Sequence, residues 1–298
     1  MALILANDGI DKKAEADLIA LGHEVDTKKY EGDELLKRVA EVDCVIVRSA
    51  TKMRDREIDA GARGQLQLII RGGVGVDNIN VEYAESKGIA VRNTPAASSS
   101  AVAELVLGHM LTMARHIGEA NVTMRQGKWL KKEYSGTEIA GKTLGLIGFG
   151  RIANSLAVKC LALGMEVIFT DIIDIECDIC PQVDFKEVLS VADYVSIHIP
   201  FGGGEPLIGK NEIDMMKDGV FIINCARGGI VDEDALVDAI ESGKVKGAAL
   251  DVFAVEPLQN ERLLQCEKIS LTPHIGAATA EAQARIGDNI VDIIKEVL

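Results

Sequence analysis

Residues 143–171 read TLGLIGFGRIANSLAVKCLALGMEVIFTD, and this stretch decides the fold. An apolar run, Leu144 to Ile147, leads into Gly148-Phe149-Gly150-Arg151-Ile152-Ala153. Helical spacing follows to about Leu163, and a second apolar run closes at Asp171. A strand, a glycine turn, a helix and a second strand of these lengths make a βαβ unit. Gly148 permits a tight turn, and Gly150 lets backbone N–H groups approach a pyrophosphate at the helix N-terminus. Ala153, at the third glycine position, is still small enough for close helix–strand packing. Asp171 stands where an acidic side chain accepts hydrogen bonds from an adenosine ribose. The alternative for such a turn is a plain strand-to-helix connection. The flanking strands and the terminal aspartate in register favour a dinucleotide.

Upstream, short apolar runs alternate with amphipathic ones. Ala2–Ala6, Glu24–Asp26, Cys44–Val47, Leu68–Ile70 and Ile89–Val91 read as buried parallel strands, with helical spacing between them. The pattern predicts a second, smaller α/β domain over residues 1–97. Two of its turns carry arginines at strand ends. One is Val47-Arg48-Ser49-Ala50-Thr51-Lys52; the other is Arg71-Gly72-Gly73-Val74-Gly75-Val76-Asp77-Asn78. Ligands of open α/β sheets bind beyond the carboxyl ends of strands, so both turns are candidate binding elements. Otherwise they are glycine-rich surface turns with exposed arginines. Asn93-Thr94-Pro95 breaks the pattern, and one long helix is expected from about Ser100 to Arg125, with Met110, Met113 and Met124 as core filler.

Downstream, Tyr194–Ile197, Val220–Ile223, Ala248–Leu250 and Ile269–Leu271 are further strand candidates. Three are followed by polar residues capable of chemistry. Arg227 comes in Asn224-Cys225-Ala226-Arg227-Gly228-Gly229, Glu256 in Asp251-Val252-Phe253-Ala254-Val255-Glu256-Pro257, and His274 in Thr272-Pro273-His274-Ile275-Gly276-Ala277. A guanidinium can grip a carboxylate bidentately. A histidine beside a carboxylate is equipped to move a proton to or from a hydroxyl. Taken singly, Glu256 and His274 are equally well read as ordinary loop residues. His23 and His116 are expected to be exposed, His109 to face the long helix, and His198 to end a strand without chemistry of its own.

Bulk composition excludes several classes. A net charge of −14 argues against a general nucleic-acid binder and against an anionic membrane surface. The richest helical run, Ala101 to Ala114, is too short for a membrane span and carries Glu104 and His109. The N-terminus has no basic segment before its apolar run and reads as a first strand rather than a signal peptide. The six cysteines sit mostly in apolar runs, as reduced cysteines do in a cytoplasmic protein. Cys177-x-x-Cys180 lacks a second pair; zinc or redox chemistry and two plain thiols near a surface turn are its alternatives. No metal site is expected.

Several segments resemble the D-isomer-specific 2-hydroxyacid dehydrogenases. They are GFGRIA with Asp171, NCARGGIVDE, LDVFAVEP and TPHIGAAT. Within that family VRSATKM, RGGVGVDN, RNTPAASSSAVAEL and GKWLKKEY are most similar to the phosphoglycerate dehydrogenase branch. The likeness runs from about Leu3 to Val291. It implies two doubly wound parallel-sheet domains, with a Rossmann-type NAD domain, 98–280, inserted into a flavodoxin-like substrate domain, 1–97 plus 281–298. It implies that Arg227 binds the substrate carboxylate and carbonyl, that His274 is the proton donor or acceptor, and that Glu256 partners it. Residues implied to meet NAD are Val74, Gly148, Gly150, Arg151, Ile152, Asp171, Ile199, Cys225, Ala226, Arg227, Asp251, His274, Gly276 and Ala277. The substrate would meet Arg48, Ser49 and Arg71, and the amides of Gly73 and Val74. Lys131 would reach the site of a partner subunit in a homodimer.

The implied activity is NAD-dependent oxidation of 3-phospho-D-glycerate, at the entry to serine synthesis. A glyoxylate or hydroxypyruvate reductase is the alternative enzyme, and an NAD-sensing binding protein the non-enzymatic one. The chain departs from the family at Val74, where Thr is frequent, at Ala153, and at Lys131, where Arg is frequent. It also stops at Leu298, so no regulatory domain that could take serine feedback is expected.

Overall fold

The computed structural model describes all 298 residues and divides into two compact units, Met1–Ser99 with Ala277–Leu298, and Ser100–Gly276. The cuts fall a few residues from the expected 97/98 and 280/281.

The first unit holds β1 (Leu3–Ala6), α1 (Lys12–Ala20), β2 (Glu24–Asp26), α2 (Gly32–Glu41), β3 (Cys44–Val47), α3 (Asp55–Arg63), β4 (Leu68–Arg71), α4 (Val81–Ser86) and β5 (Ala90–Asn93). Its strands form one parallel sheet in the order β2-β1-β3-β4-β5. The continuous apolar runs in the sequence follow from burial on both faces. Successive side chains point to opposite sides of a strand, so each run divides between two layers. Leu5, Val45, Val47 and Ile69 pack with Leu35, Val39, Ile58 and Ala84 from α2, α3 and α4. Ile4, Ala6, Cys44, Ile46, Leu68 and Ile70 pack instead with Ala14 and Leu18 of α1 and with Ile286, Ile290 and Ile294. Those last residues belong to the final helix, Ala280–Val297, which returns to this unit after the whole of the second one. Its amphipathic pattern is thereby satisfied. Each such buried side chain contributes roughly 1.5–3 kcal/mol.

The second unit holds α5 (Ser99–Arg115), α6 (Ile117–Arg125), β6 (Thr143–Ile147), α7 (Arg151–Ala162), β7 (Glu166–Thr170), α8 (Phe185–Val191), β8 (Tyr194–Ile197), α9 (Lys210–Met215), β9 (Val220–Asn224), α10 (Glu233–Glu241), β10 (Val245–Leu250), α11 (Glu261–Gln265) and β11 (Ile269–Leu271); the last helix, Ala280–Val297, is α12. The six strands are parallel in the order β11-β10-β9-β8-β6-β7. The chain leaves β6 outward to β7 and then crosses to β8. The strand order therefore reverses at β6, and the glycine turn follows this strand. One face packs on α5 and α7, the other on α8 to α11.

The expected single helix from Ser100 to Arg125 is two helices. His116 adopts a left-handed conformation, φ 54°, between α5 and α6. The amide of Thr137 donates to the carbonyl of Ala114 at 2.9 Å, so a later segment caps α5 where a further helical turn would otherwise do so. Met110 and Met113 are buried as expected, but Met124, beyond the break, is exposed. His23 and His116 are half-buried rather than exposed. His23 Nδ1 accepts the amide of Ala2 at 3.3 Å, and His116 stacks obliquely on Tyr134. No helix is long and apolar enough to cross a membrane.

Candidate active site

The glycine turn is built as the sequence required. Gly148 has φ +85°, and its amide donates to Thr170 O at 2.8 Å, which draws the ends of β6 and β7 together. A Cβ there would lie 2.6 Å from Ile199 Cγ2 and 2.8 Å from the carbonyl of His198, so only glycine fits. Gly150 is the N-cap of α7 and offers no side chain to its first turn. A Cβ on Gly150 would meet nothing within 4 Å, so the space before the helix is open. Arg151 and Ile152 begin the helix there, and Ala153 is fully buried against the sheet. An anion is favoured at such an end by the amides and the helix dipole. Asp171 follows β7. Its Oδ2 accepts the amide of Phe149 at 2.8 Å and its Oδ1 that of Ile172 at 2.7 Å, which fixes the carboxylate beside the turn. The open glycine N-terminus and the fixed acidic side chain fit a dinucleotide with a free ribose diol.

The other strand ends carry the polar residues. After β9, Asn224 orders the next turn, a role the sequence did not reveal. Its Oδ1 accepts the amide of Ala226 at 3.0 Å and its Nδ2 donates to Arg227 O at 2.7 Å. Cys225 is buried in that turn, and its thiol is pushed up by burial and by the charge of Asp251. Gly228 runs directly against the backbone of Phe253, where a Cβ would overlap the carbonyl. Arg227 Nη1 donates to Ala226 O at 2.6 Å.

Glu256 and His274 meet at 2.8 Å through Oε2 and Nδ1, each about a third exposed. Burial works against the Glu256 carboxylate. The hydrogen bond and charge of His274, the amide of Phe253 and the charge of Arg227 outweigh it and hold the group below its ordinary 4.5. With Nδ1 engaged, Nε2 is the nitrogen available for proton transfer.

His274 is itself left-handed, φ 54°, a conformation a bulky residue adopts only when its surroundings impose it. Asp251 imposes it. This carboxylate is 1% exposed, and it accepts Thr272 Oγ1 at 2.6 Å and the amides of Ile275 and Gly276 at 2.8 Å each. The resemblance implied a cofactor contact for Asp251; three of its hydrogen bonds are to its own neighbouring turn. His109 extends the chain. Its Nε2 lies 3.1 Å from Thr272 Oγ1 and its Nδ1 2.9 Å from Ser270 Oγ. Thr272 donates to Asp251, so His109 donates from Nε2 and accepts from Ser270 at Nδ1. Burial pushes His109 down, only partly relieved by the charge of Asp251, which keeps it in that neutral form. A helix histidine read as featureless thus braces the His274 turn. The only signal was a polar residue on an apolar helix face. His198, at the end of β8, contacts Ser196 Oγ through Nε2 at 2.9 Å, and loss of hydration pushes it down to about 4.

In the first unit, Arg48 and Ser49 follow β3, and Arg71 ends the neighbouring β4, with Val47 paired to Arg71 in register. Asp8, after β1, clamps the Arg48 turn through the amides of Arg48 and Thr51 and the Thr51 hydroxyl. Burial opposes its ionisation, but those bonds and the one from Lys29 hold it below its ordinary 3.8. The Arg71 guanidinium lies against Gly73, φ +151°, leaving no room for a Cβ. Gly73 and Val74 were expected to offer two amides to a carboxylate. The amide of Gly73 donates to Arg71 O at 2.8 Å, closing a tight turn. Ala277 opens the return to this unit, and its carbonyl accepts Gln283 Nε2 at 2.8 Å. Lys131 is exposed in the turn after Trp129, itself 77% exposed.

The fold and these strand-end residues define a dinucleotide-binding α/β protein with acid–base equipment. Residues 107–276 match the family model of the D-isomer specific 2-hydroxyacid dehydrogenase NAD binding domain. The chain is 47% identical to a hydroxypyruvate reductase of Thermotoga maritima over 98% of this chain and 97% of that one. It is 41% identical to a D-3-phosphoglycerate dehydrogenase of Synechocystis over its whole length, spanning 54% of that protein. Among solved structures, the TT0316 protein of Thermus thermophilus superposes with a TM-score of 0.92 at 32% identity, over 100% of this chain and 96% of that one. The chain belongs to the D-isomer-specific 2-hydroxyacid dehydrogenases, and its cofactor is NAD.

Proposed function

We propose that this dehydrogenase interconverts 3-phospho-D-glycerate and 3-phosphohydroxypyruvate, the first step of serine biosynthesis. The observation that carries the reading is the pair Arg48 and Arg71 at the carboxyl ends of adjacent parallel strands. A phosphate brings close to two negative charges, and a chain of net charge −14 must gather cations locally to hold it. Ser49 and the Val74 amide add polar donors to the same loops.

In this reading Gly148, Gly150, Arg151 and Ile152 hold the NAD pyrophosphate and Asp171 its adenosine ribose. Ile199, Cys225, Ala226, Asp251, Gly276 and Ala277 are the further residues that the resemblance assigns to NAD. NAD, when bound, supplies the acceptor for the hydride that leaves C2. Arg227 binds the substrate carboxylate and orients the oxygen on C2. His274 Nε2 takes the hydroxyl proton during oxidation and returns it during reduction. Glu256 stabilises the resulting imidazolium and keeps Nδ1 engaged.

A homodimer and a cytoplasmic location complete the proposal. Ile117, Val122, Met124 and Trp129 are more than half exposed along α6 and its following loop, an apolar surface that a second copy would cover. All six cysteines are free thiols, as in a reducing compartment.

The second reading, hydroxypyruvate reduction, is favoured by the 47% identity to the Thermotoga maritima protein. Its substrate is the same keto acid without the phosphate. Following NADH absorbance with phosphohydroxypyruvate, hydroxypyruvate and glyoxylate separates the readings. A kcat/KM at least tenfold higher for the phosphorylated acid supports the proposal, and the reverse order supports the reductase. No turnover with any of them supports a nucleotide-sensing protein.

A further inference from the structure

Between Asp171 and Gln182 lies the one sequence motif that the site has not absorbed. Its two thiols are in contact, with Cys177 Sγ 3.8 Å from Cys180 Sγ. Cys180 is 6% exposed and belongs to the core that holds Phe149, Ala153 and Phe169. Cys177 is half-buried and rests on the edge of that core. No third cysteine, histidine or carboxylate joins them in a group that could hold a metal. The environments of the two sulfurs are unequal. Burial opposes a thiolate at Cys177, but the amides of Ile179 and Cys180 and the Cys180 thiol outweigh it and hold the group below its ordinary 9.0. Cys180 is pushed up to about 12 by burial and by its neighbour. The two sulfurs also differ in access, Cys177 being half-buried and Cys180 buried. This is the division of labour between an attacking and a resolving thiol. Cys44, Cys160 and Cys225, in contrast, are buried with thiols pushed up, and so are inert.

The loop is also strapped to the segment that carries Asp171. Gln182 Nε2 donates to Ile173 O at 2.8 Å, and its Oε1 accepts the amide of Ile175 at 2.9 Å. Ile172 and Ile173, directly after Asp171, are exposed.

We propose that Cys177 and Cys180 form a thiol–disulfide exchange site for small disulfides, and that closing it alters NAD affinity through the loop strapped behind Asp171. The second half rests on the assignment of the adenosine ribose to Asp171. The Cys177 thiolate attacks one sulfur of a small disulfide, forming a mixed disulfide and expelling one thiolate. Cys180 loses its proton and attacks the Cys177 sulfur, expelling the second. Two protein thiols are oxidised and one small disulfide is reduced to two thiols. Bringing the sulfurs from contact to bonding distance draws the loop together and shifts the segment under the Gln182 strap.

The test uses glutathione disulfide on the full chain, read by intact mass, peptide mapping and NADH kinetics. The wild type should lose two hydrogens, mapped to Cys177 and Cys180, without a retained adduct. Cys180→Ser should stop with one glutathione on Cys177, and Cys177→Ser should remain unmodified at either position. The cross-linked wild type should show a several-fold change in KM for NADH with kcat unchanged, reversed by dithiothreitol and absent from the double serine variant. Reaction at Cys266 alone, or a wild type that resists exchange, overturns the proposal. A cross-link that leaves the NADH KM unmoved overturns its second half. NADH binding to reduced Asp171→Ala judges the ribose assignment separately: unchanged affinity there counts against the cofactor reading, not against the exchange chemistry.

Discussion

His274 Nδ1 lies 2.8 Å from Glu256 Oε2, and the second oxygen of the same carboxylate accepts the amide of Phe253 at 3.2 Å. The pair is thus oriented from the carboxylate side, with the imidazole free to present Nε2. Replacing His274 by Ala should lower kcat by about 10²–10⁴-fold, the usual range for a lost general acid–base. Glu256→Gln removes the charge that His274 Nδ1 meets and should lower kcat about tenfold, about 1.4 kcal/mol in the barrier, with the KM for NADH nearly unchanged. A variant with wild-type kcat would remove Glu256 from the role.

The turn that carries His274 depends on hydrogen bonds from buried groups. Thr272→Val removes the donor 2.6 Å from Asp251 Oδ1 and the acceptor for His109. Leaving a buried polar group without its partner costs roughly 1–3 kcal/mol. We expect a lowered melting temperature together with about a tenfold fall in kcat, equivalent to about 1.4 kcal/mol in the barrier. The KM for NADH should stay within about twofold. A variant that loses stability alone would show that the turn tolerates the change without displacing His274.

Asp171 should also exclude a 2′-phosphate. Its carboxylate is held by two amides at 2.7–2.8 Å, and the next two residues, Ile172 and Ile173, supply no cation. Juxtaposed like charges cost several kcal/mol, so kcat/KM with NADPH should be at least ~10²-fold below that with NADH. Asp171→Ala should narrow the ratio by weakening NADH and relieving NADPH. Equal turnover with both cofactors in the wild type would contradict this.

Lys131 tests the phosphate reading and the dimer together. In that reading it completes the partner subunit's site as a point charge, without the fork of an arginine. Lys131→Ala should raise KM for phosphohydroxypyruvate several-fold, most clearly at low salt, and leave that for hydroxypyruvate nearly unchanged. Equal effects on both acids, or a fully active monomer in sedimentation, would take the residue out of the site.

Asp8 makes an acid-sensitive clamp. Its carboxyl is held below the ordinary 3.8 in the folded chain, so its contribution to stability is fully present above that value. That contribution fades as pH falls through the lower, folded-state value. Asp8→Asn should melt earlier than the wild type at neutral pH, and the difference should shrink on acidification toward pH ~3. A gap in melting temperature that stays constant with pH would show that the charge is not what holds the Arg48 turn.

Patterns with a short physical range were legible in the sequence. The glycine turn is one, because Gly148 and Gly150 are near neighbours in the chain and Asp171 meets the amide of Phe149 between them. The strand runs are another, because burial on both faces leaves a continuous apolar signature. The break at His116 was not legible. It depends on the Thr137 amide reaching Ala114, a contact between segments that no helical period records. The bracing of His274 was hidden for the same reason. His109 meets Ser270 and Thr272 from a helix far away in the chain, and a single polar residue on an apolar helix does not disclose its partners.

The return of α12 to the first unit also sets an order of events during synthesis. Ile4, Ile46, Leu68 and Ile70 line a sheet face that Ile286, Ile290 and Ile294 help to cover. A ribosome completes the second unit before it makes that helix. The nascent first unit therefore waits with one face partly bare, while the second can close its core as soon as Gly276 has cleared the exit tunnel. A chaperone that binds apolar sheet surface would find its target in this interval, at the beginning of the chain rather than at the segment most recently made.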